Sequence, residues 1–247
     1  MIVLYSGTPG SGKTYCSVLT VLEWLRGGKY VISNVRLNFS GLRDGDKLSL
    51  RYLYVPWQHF DLQLFYDWAK CRHKVARENQ TLVVIDEAQR TFNAREFQRG
   101  DRAQWVTFFS EHRHYGYSVL MIAQNDRMID RQIRSLVEYE YVHRRVQVYL
   151  RWLPGTTFTQ IMRWYGVREK LGQRFVRLRP SVANLYNTFA MGVLGEIETM
   201  QEKNVPGRLK KLIGGVKVSW LRLLIYVVCA CVGGLGLAFV LRGKGGF

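Results

Sequence analysis

Three short runs of uninterrupted apolar residues stand out in a chain that elsewhere mixes polar and apolar positions: Met1–Ser6, Thr81–Ile85 and Ser118–Ala123. Runs of this length without alternation predict strands buried on both faces, as in a parallel sheet covered by helices. After the first run, Val18, Leu19, Leu22 and Leu25 recur with a helical period, and Gly27-Gly28 predicts the stop. Leu62, Phe65, Trp68 and Ala69 have the same spacing, and Glu111–Gly116 reads as a helix end closed by Gly116. The segment from Asn34 and Arg36 to Pro56, with Gly41 and Asp44-Gly45, reads as a turn-rich insertion. Residues 139–178 predict strands, Tyr141–Trp152 and Thr156–Tyr165 with Pro154-Gly155 as the turn, in which arginines alternate with aromatics. Leu223–Leu241 carries no charge, and a helix of that length covers about 28 Å against a hydrocarbon thickness of about 30 Å.

The connections between these runs carry the chemistry. The first strand leads into Gly7-Thr8-Pro9-Gly10-Ser11-Gly12-Lys13-Thr14, the Walker A pattern, with Tyr15 following in the helix. Its glycines let the backbone curl so that successive N–H groups face phosphate oxygens. Lys13 supplies charge to the β- and γ-phosphates, Thr14 offers a hydroxyl to Mg²⁺, and the helix N-terminus adds a positive dipole end. The second strand ends in Asp86-Glu87, the Walker B pattern. From their order, Asp86 is expected to hold Mg²⁺ and Glu87 to polarise the attacking water. The third strand ends in Gln124-Asn125, where an amide can sense the γ-phosphate. Arg113, Arg127, Arg131 and Arg134 are candidates for a transition-state finger, with Arg131 and Arg134 slightly favoured, although for any single one a solvated surface arginine is the better reading. His112 and His114 do not share a helix face and are not expected to bind metal. The expected ligands are ATP and Mg²⁺, and the expected activity is ATP hydrolysis.

Composition narrows the picture. A 47% hydrophobic fraction over 247 residues excludes whole-chain disorder, and four cysteines without paired spacing exclude a disulfide scaffold. The net charge is +17, carried mainly by residues 142–180 and 203–222. These segments point to anionic material, either phospholipid or nucleic acid, with a merely solvated hairpin as the plain alternative. Arginines near Phe92, Phe97 and Trp105 suggest a solvated face or a mobile loop beside the acidic pair. Cations on both sides of Leu223–Leu241, in excess before it, predict a membrane helix with residues 1–222 in the cytoplasm and a short tail outside.

IVLYSGTPGSGKTY, LVVIDEAQ and EHRHYGYSVLMIAQN followed by IDRQIRSL resemble the Zot family, the zonula occludens toxin-like and gene I-type assembly proteins of filamentous phages. The likeness covers roughly residues 1–190 and then the single span. It implies a P-loop ATPase in the host bacterial inner membrane that powers virion assembly and extrusion together with phage coat and export proteins. Carried over, Gly7 to Thr14 would bind phosphate, Asp86-Glu87 would serve Mg²⁺ and water, and Gln124 would be the sensor. Larger relatives continue into a periplasmic domain beyond the span, and this chain ends six residues after it.

The expected fold is therefore α/β: a P-loop NTPase whose parallel sheet is flanked by helices, a small β-rich basic extension, and one C-terminal transmembrane helix. The expected division is a core at 1–141, the extension at 142–202, a basic linker at 203–222, the span at 223–241 and a tail at 242–247. A homo-oligomeric ring is expected by analogy with related motors, a hexamer favoured. Two other readings stay open: a nucleotide-switched membrane scaffold, and a membrane-anchored translocase acting on single-stranded phage DNA.

Overall fold

The three apolar runs become the centre of one sheet. The computed structural model describes residues 1–95, 100–146 and 155–186. Its strands are β1 (Ile2–Ser6), β2 (Tyr30–Ser33), β3 (Tyr52–Tyr54), β4 (Thr81–Ile85), β5 (Tyr117–Ile122), β6 (Tyr139–Arg145), β7 (Thr157–Trp164) and β8 (Lys170–Arg177). They lie in the order β3-β2-β4-β5-β1-β6-β7-β8. The six strands from β3 to β6 pair in parallel, and β7 and β8 add antiparallel to β6. Every residue of β1, β4 and β5 is buried, which explains their unbroken apolar sequence.

Helices cover the two faces of this centre. On one face α1 (Lys13–Arg26) buries Val18, Val21, Leu22 and Leu25, and Tyr5 of β1 meets its Thr20 hydroxyl at 3.0 Å. Gly27 and Gly28 end α1 as their N–H groups return to Glu23 O and Leu25 O. Ile2 and Leu4, alternate residues of β1, belong to the core of the opposite face, under α3 (Leu62–Arg72) and α4 (Arg102–Glu111). Phe65, Phe108, Phe109, Trp105 and Tyr117 form an aromatic cluster there, with Phe65 and Phe108 centroids 5.5 Å apart. Each such fully buried side chain contributes about 1.5–3 kcal/mol. The short helices α2 (Gly45–Ser49), α5 (Arg131–Ser135) and α6 (Pro180–Ala183) complete the connections. Phe92 and Trp105, expected in a solvated or mobile face, are core residues. Asp130 neutralises Arg102 of that segment at 2.8 Å.

The structure corrects the expected fold on two counts. The sheet is mixed, and the basic strands are continuous with it, because β6 pairs in parallel with β1 from Val3↔Tyr139 to Ser6↔Val142. Among the described residues no helix is long and apolar enough to cross a membrane. The longest, α1, has 14 residues and reaches about 21 Å, short of the roughly 30 Å required. The expected fold with a transmembrane helix, the single-pass inner-membrane placement and the inner-membrane extrusion motor built on them are corrected accordingly. The stretch 223–241 lies outside the described residues, as do the linker, the tail and the Pro154 side of the expected turn. The described residues fall within a compact unit running from Met1 to Thr188.

Candidate nucleotide site

Three parallel strands end side by side at one edge of the sheet. The strand carrying the acidic pair (β4) and the strand carrying the glycine loop (β1) are separated by β5, whose end carries Gln124. Ligands of α/β sheets bind at such carboxyl ends. Gly7 N donates to Gln124 O at 3.3 Å, which ties the start of the loop to the end of β5. The Gln124 side chain is exposed.

The glycines of the loop are required by close packing. Gly7 has φ of 143°, and a Cβ there would lie 2.4 Å from His143 O of β6. Gly12 has φ of 86°, and a Cβ there would lie 2.5 Å from the Phe158 ring of β7. The loop is therefore walled by β6, the last parallel strand, and β7, the first antiparallel one. Thr8, Pro9 and Gly10 are exposed at its tip, and Ser11 N returns to Thr8 O at 3.2 Å. Ser11 Oγ is buried without a hydrogen-bond partner. Lys13 Nζ donates to Gly7 O at 2.8 Å and Thr8 O at 3.0 Å, so the ammonium curls back over the loop. Its partial burial lowers its pKa, opposed by the charges of Asp86 and Glu87.

Across the site Thr14 Oγ1 donates to Asp86 Oδ2 at 2.9 Å, joining residues 72 positions apart. The recessed position of Asp86 raises its carboxyl pKa, opposed by the hydrogen bonds from Thr14 and from Glu87 N. Asn34, just after β2, clamps the main chain of Asp86 twice. Its Nδ2 donates to Asp86 O at 2.8 Å, and Asp86 N donates to its Oδ1 at 2.7 Å. Glu87 has φ of 51°, a left-handed conformation rare for this residue type, and its carboxylate pairs with Arg90. Two hard oxygen donors beside a lysine and an unused buried hydroxyl fit Mg²⁺ bound together with a phosphate chain.

Not every predicted residue faces this centre. Tyr15 is buried, and its hydroxyl donates to Arg177 O at 3.2 Å and accepts from Arg179 N at 2.9 Å, so it joins α1 to the end of β8 and the chain just after it. Arg131 is exposed at the start of α5. Arg134 donates to Asp126 O at 3.4 Å.

A Walker loop, an acidic pair and an amide thus stand on three adjacent strand ends. The zonular occludens toxin (Zot) family pattern matches residues 1–187. The chain belongs to the Zot family. It is similar to the N-terminal domain of zonular occludens toxin from Neisseria meningitidis, at 21% identity and a TM-score of 0.47 over 75% of this chain and 98% of that one. It is also similar to the genome packaging NTPase of Sulfolobus turreted icosahedral virus 2 in complex with ATP-γS, at 15% identity and a TM-score of 0.44 over 72% and 97%. No curated protein matches it by sequence. In this Zot-family chain three further residues build the site: Asn34, His143 and Phe158. Asn34 directly follows a short strand, which was the only local signal available. His143 and Phe158 carry none, because their contacts with the loop span more than 130 residues.

Proposed function

We propose that this chain is a Mg²⁺-dependent ATP hydrolase. The observation that carries the reading is the Thr14–Asp86 hydrogen bond beside Lys13, which brings Walker A and Walker B chemistry into one site. Backbone N–H groups of Gly10 to Thr14 and the Ser11 hydroxyl cradle the phosphates. Lys13 exchanges its contacts with the loop carbonyls for β- and γ-phosphate oxygens. Thr14 and Asp86 hold the Mg²⁺, which when bound neutralises charge across the phosphate chain. Glu87 accepts a proton from the attacking water, and Gln124 contacts the γ-phosphate. Family membership supports placing that hydrolysis in a phage assembly or packaging step. A homo-oligomeric ring, six-fold favoured, would let Arg131 or Arg134 complete a neighbour's site.

Phosphate release by the purified full chain tests the reading. Lys13→Ala is expected to lose both nucleotide binding and hydrolysis. Glu87→Gln is expected to keep binding while hydrolysis falls about 10²–10⁴-fold. Hydrolysis by Lys13→Ala at the wild-type rate would remove the proposal.

A further inference from the structure

We infer that the sheet face opposite α1, across β6 to β8, binds single-stranded DNA. Strand alternation and pairing define the face. Arg144 on β6 lies opposite Thr159, Arg163 on β7 lies opposite Lys170, and Phe175 and Arg177 on β8 lie opposite Thr159 and Thr157. Phe158 and Gln160 point to the other face: Phe158 packs on Gly12 at the start of α1, and Gln160 meets His143. The four cations therefore share a surface that α1 does not cover. In their midst Phe175 is 66% exposed, an unusual state for a phenyl ring on a strand.

The charge on this face is compensated only in part: Glu140 stands opposite Arg163, and among the described residues Arg144, Lys170 and Arg177 are paired with no carboxylate. Residues 139–178 contain two acids. Glu140 is buried and accepts from Ser6 Oγ, and Glu169 lies in the turn before β8. Arg163 and the pair Thr159–Arg144 are four residues apart along β7, about 13 Å at strand rise. Cations thus stand at both ends of an exposed ring. That is the arrangement a flexible polyanion with bare bases requires: phosphates on the cations and a base stacked on the ring. A duplex keeps its bases stacked inside and offers the ring nothing. A second copy docked through the same face would set these cations against themselves, which is repulsive. DNA is the occupant because the face offers cations and a ring, which are all that single-stranded DNA requires, while the exposed amide here, Gln173, is held through its Oε1 by Lys170 Nζ at 2.9 Å. This inference does not depend on ATP hydrolysis.

The test is fluorescence anisotropy of the full chain with a labelled oligo-dT, repeated across a salt series, with oligo-rU and anionic phosphatidylglycerol vesicles as parallel probes. Oligo-dT binding is expected to weaken with salt. Phe175→Ala is expected to weaken it by roughly fivefold or more. Arg163→Gln and Arg177→Gln are each expected to lower the logarithmic salt slope by about 0.7. Phe175 is mostly exposed, so Phe175→Ala should keep the wild-type thermal transition, and nucleotide binding reports that its fold is intact. No oligo-dT binding at low salt overturns the inference, as does wild-type affinity in a folded Phe175→Ala chain. Tighter binding to oligo-rU overturns the DNA assignment. Vesicle binding that falls in these variants while oligo-dT binding does not would make the face a lipid surface instead.

Discussion

The parallel half of the sheet and its antiparallel flank are built on different rules. In the parallel half, β1, β4 and β5 are buried at every position and present their chemistry only at their ends. In the flank, β8 is mostly exposed, and its chemistry is spread along its length. The difference suggests an engine with an appendage, but the contacts at the loop say otherwise. His143 O stands where a Cβ of Gly7 would go, and the Phe158 ring stands where a Cβ of Gly12 would go. Under the proposed function the central strands β1, β4 and β5 supply the catalytic groups, and the flank, with β6 as its inner strand, supplies the wall that shapes the glycine loop. A change on the flank should therefore be felt at the phosphates.

Phe158→Ala is the strongest way to break this comparison. The ring is 2% exposed, and its centroid lies 5.8 Å from that of Tyr15. Its removal should cost about 3–5 kcal/mol of stability. It should also weaken ATP binding, because the cavity opens directly beneath Gly12. Urea unfolding gives the first quantity, and titration with a non-hydrolysable nucleotide under folding conditions gives the second. If the folded variant bound nucleotide as tightly as wild type, the flank would be an appendage after all.

The same contrast explains what could be read from the amino-acid order. Continuous apolar runs announced β1, β4 and β5, and the glycine and acidic motifs announced what their ends carry, because each signal lies within a few consecutive residues. β2, four residues long, lies between the Gly27-Gly28 stop and the turn-rich segment, and β3, three residues long, lies inside that segment, so neither offers a run long enough to read. Asn34 looked like a turn residue because its partner, Asp86, is 52 positions away. Phe92 and Trp105 were masked by the arginines around them, and only Asp130 across the fold reveals that Arg102 is neutralised. Phe158 and His143 looked like members of a basic hairpin. Their role depends on β6 pairing with β1, a long-range contact that no local pattern encodes.

The next effect concerns proton linkage across the boundary between the halves. His143 is buried with its ring fully committed. Nδ1 donates to Tyr141 O at 2.9 Å, and Nε2 accepts from Gln160 Nε2 at 2.7 Å, while Arg174 Nε donates to Gln160 Oε1. Burial lowers its pKa to about 4, and the nearby charges of Lys13 and Arg174 act in the same direction. The unfolded imidazole takes up a proton below about 6.5. Its contribution to stability is therefore fully present above that pH and is lost as pH falls toward about 4, up to about 3 kcal/mol in all. His112, lowered to about 4 mainly by burial, adds a loss of the same sign. Urea midpoints between pH 7 and pH 4 should fall less steeply in His143→Gln than in wild type. Equal slopes would show that His143 does not couple the halves through its proton.

The smallest effect isolates the parallel half alone. Asn34 touches no flank residue in its two hydrogen bonds, and both go to the main chain of Asp86. Asn34→Ala leaves an N–H and a C=O beside the acidic pair without their partner, at a cost of about 1–2 kcal/mol of stability. The side chain positions Asp86 and Glu87 without contacting phosphate itself. kcat should therefore fall while KM for ATP changes little, which is the reverse of the pattern expected from Phe158→Ala. A purely structural role would lower the unfolding midpoint and leave both kinetic constants of the folded fraction unchanged. Because Asn34 and Phe158 act from opposite sides of the loop on different groups, their kinetic effects should add in the double variant, and strong coupling between them would mean that the two halves are not separable at the site.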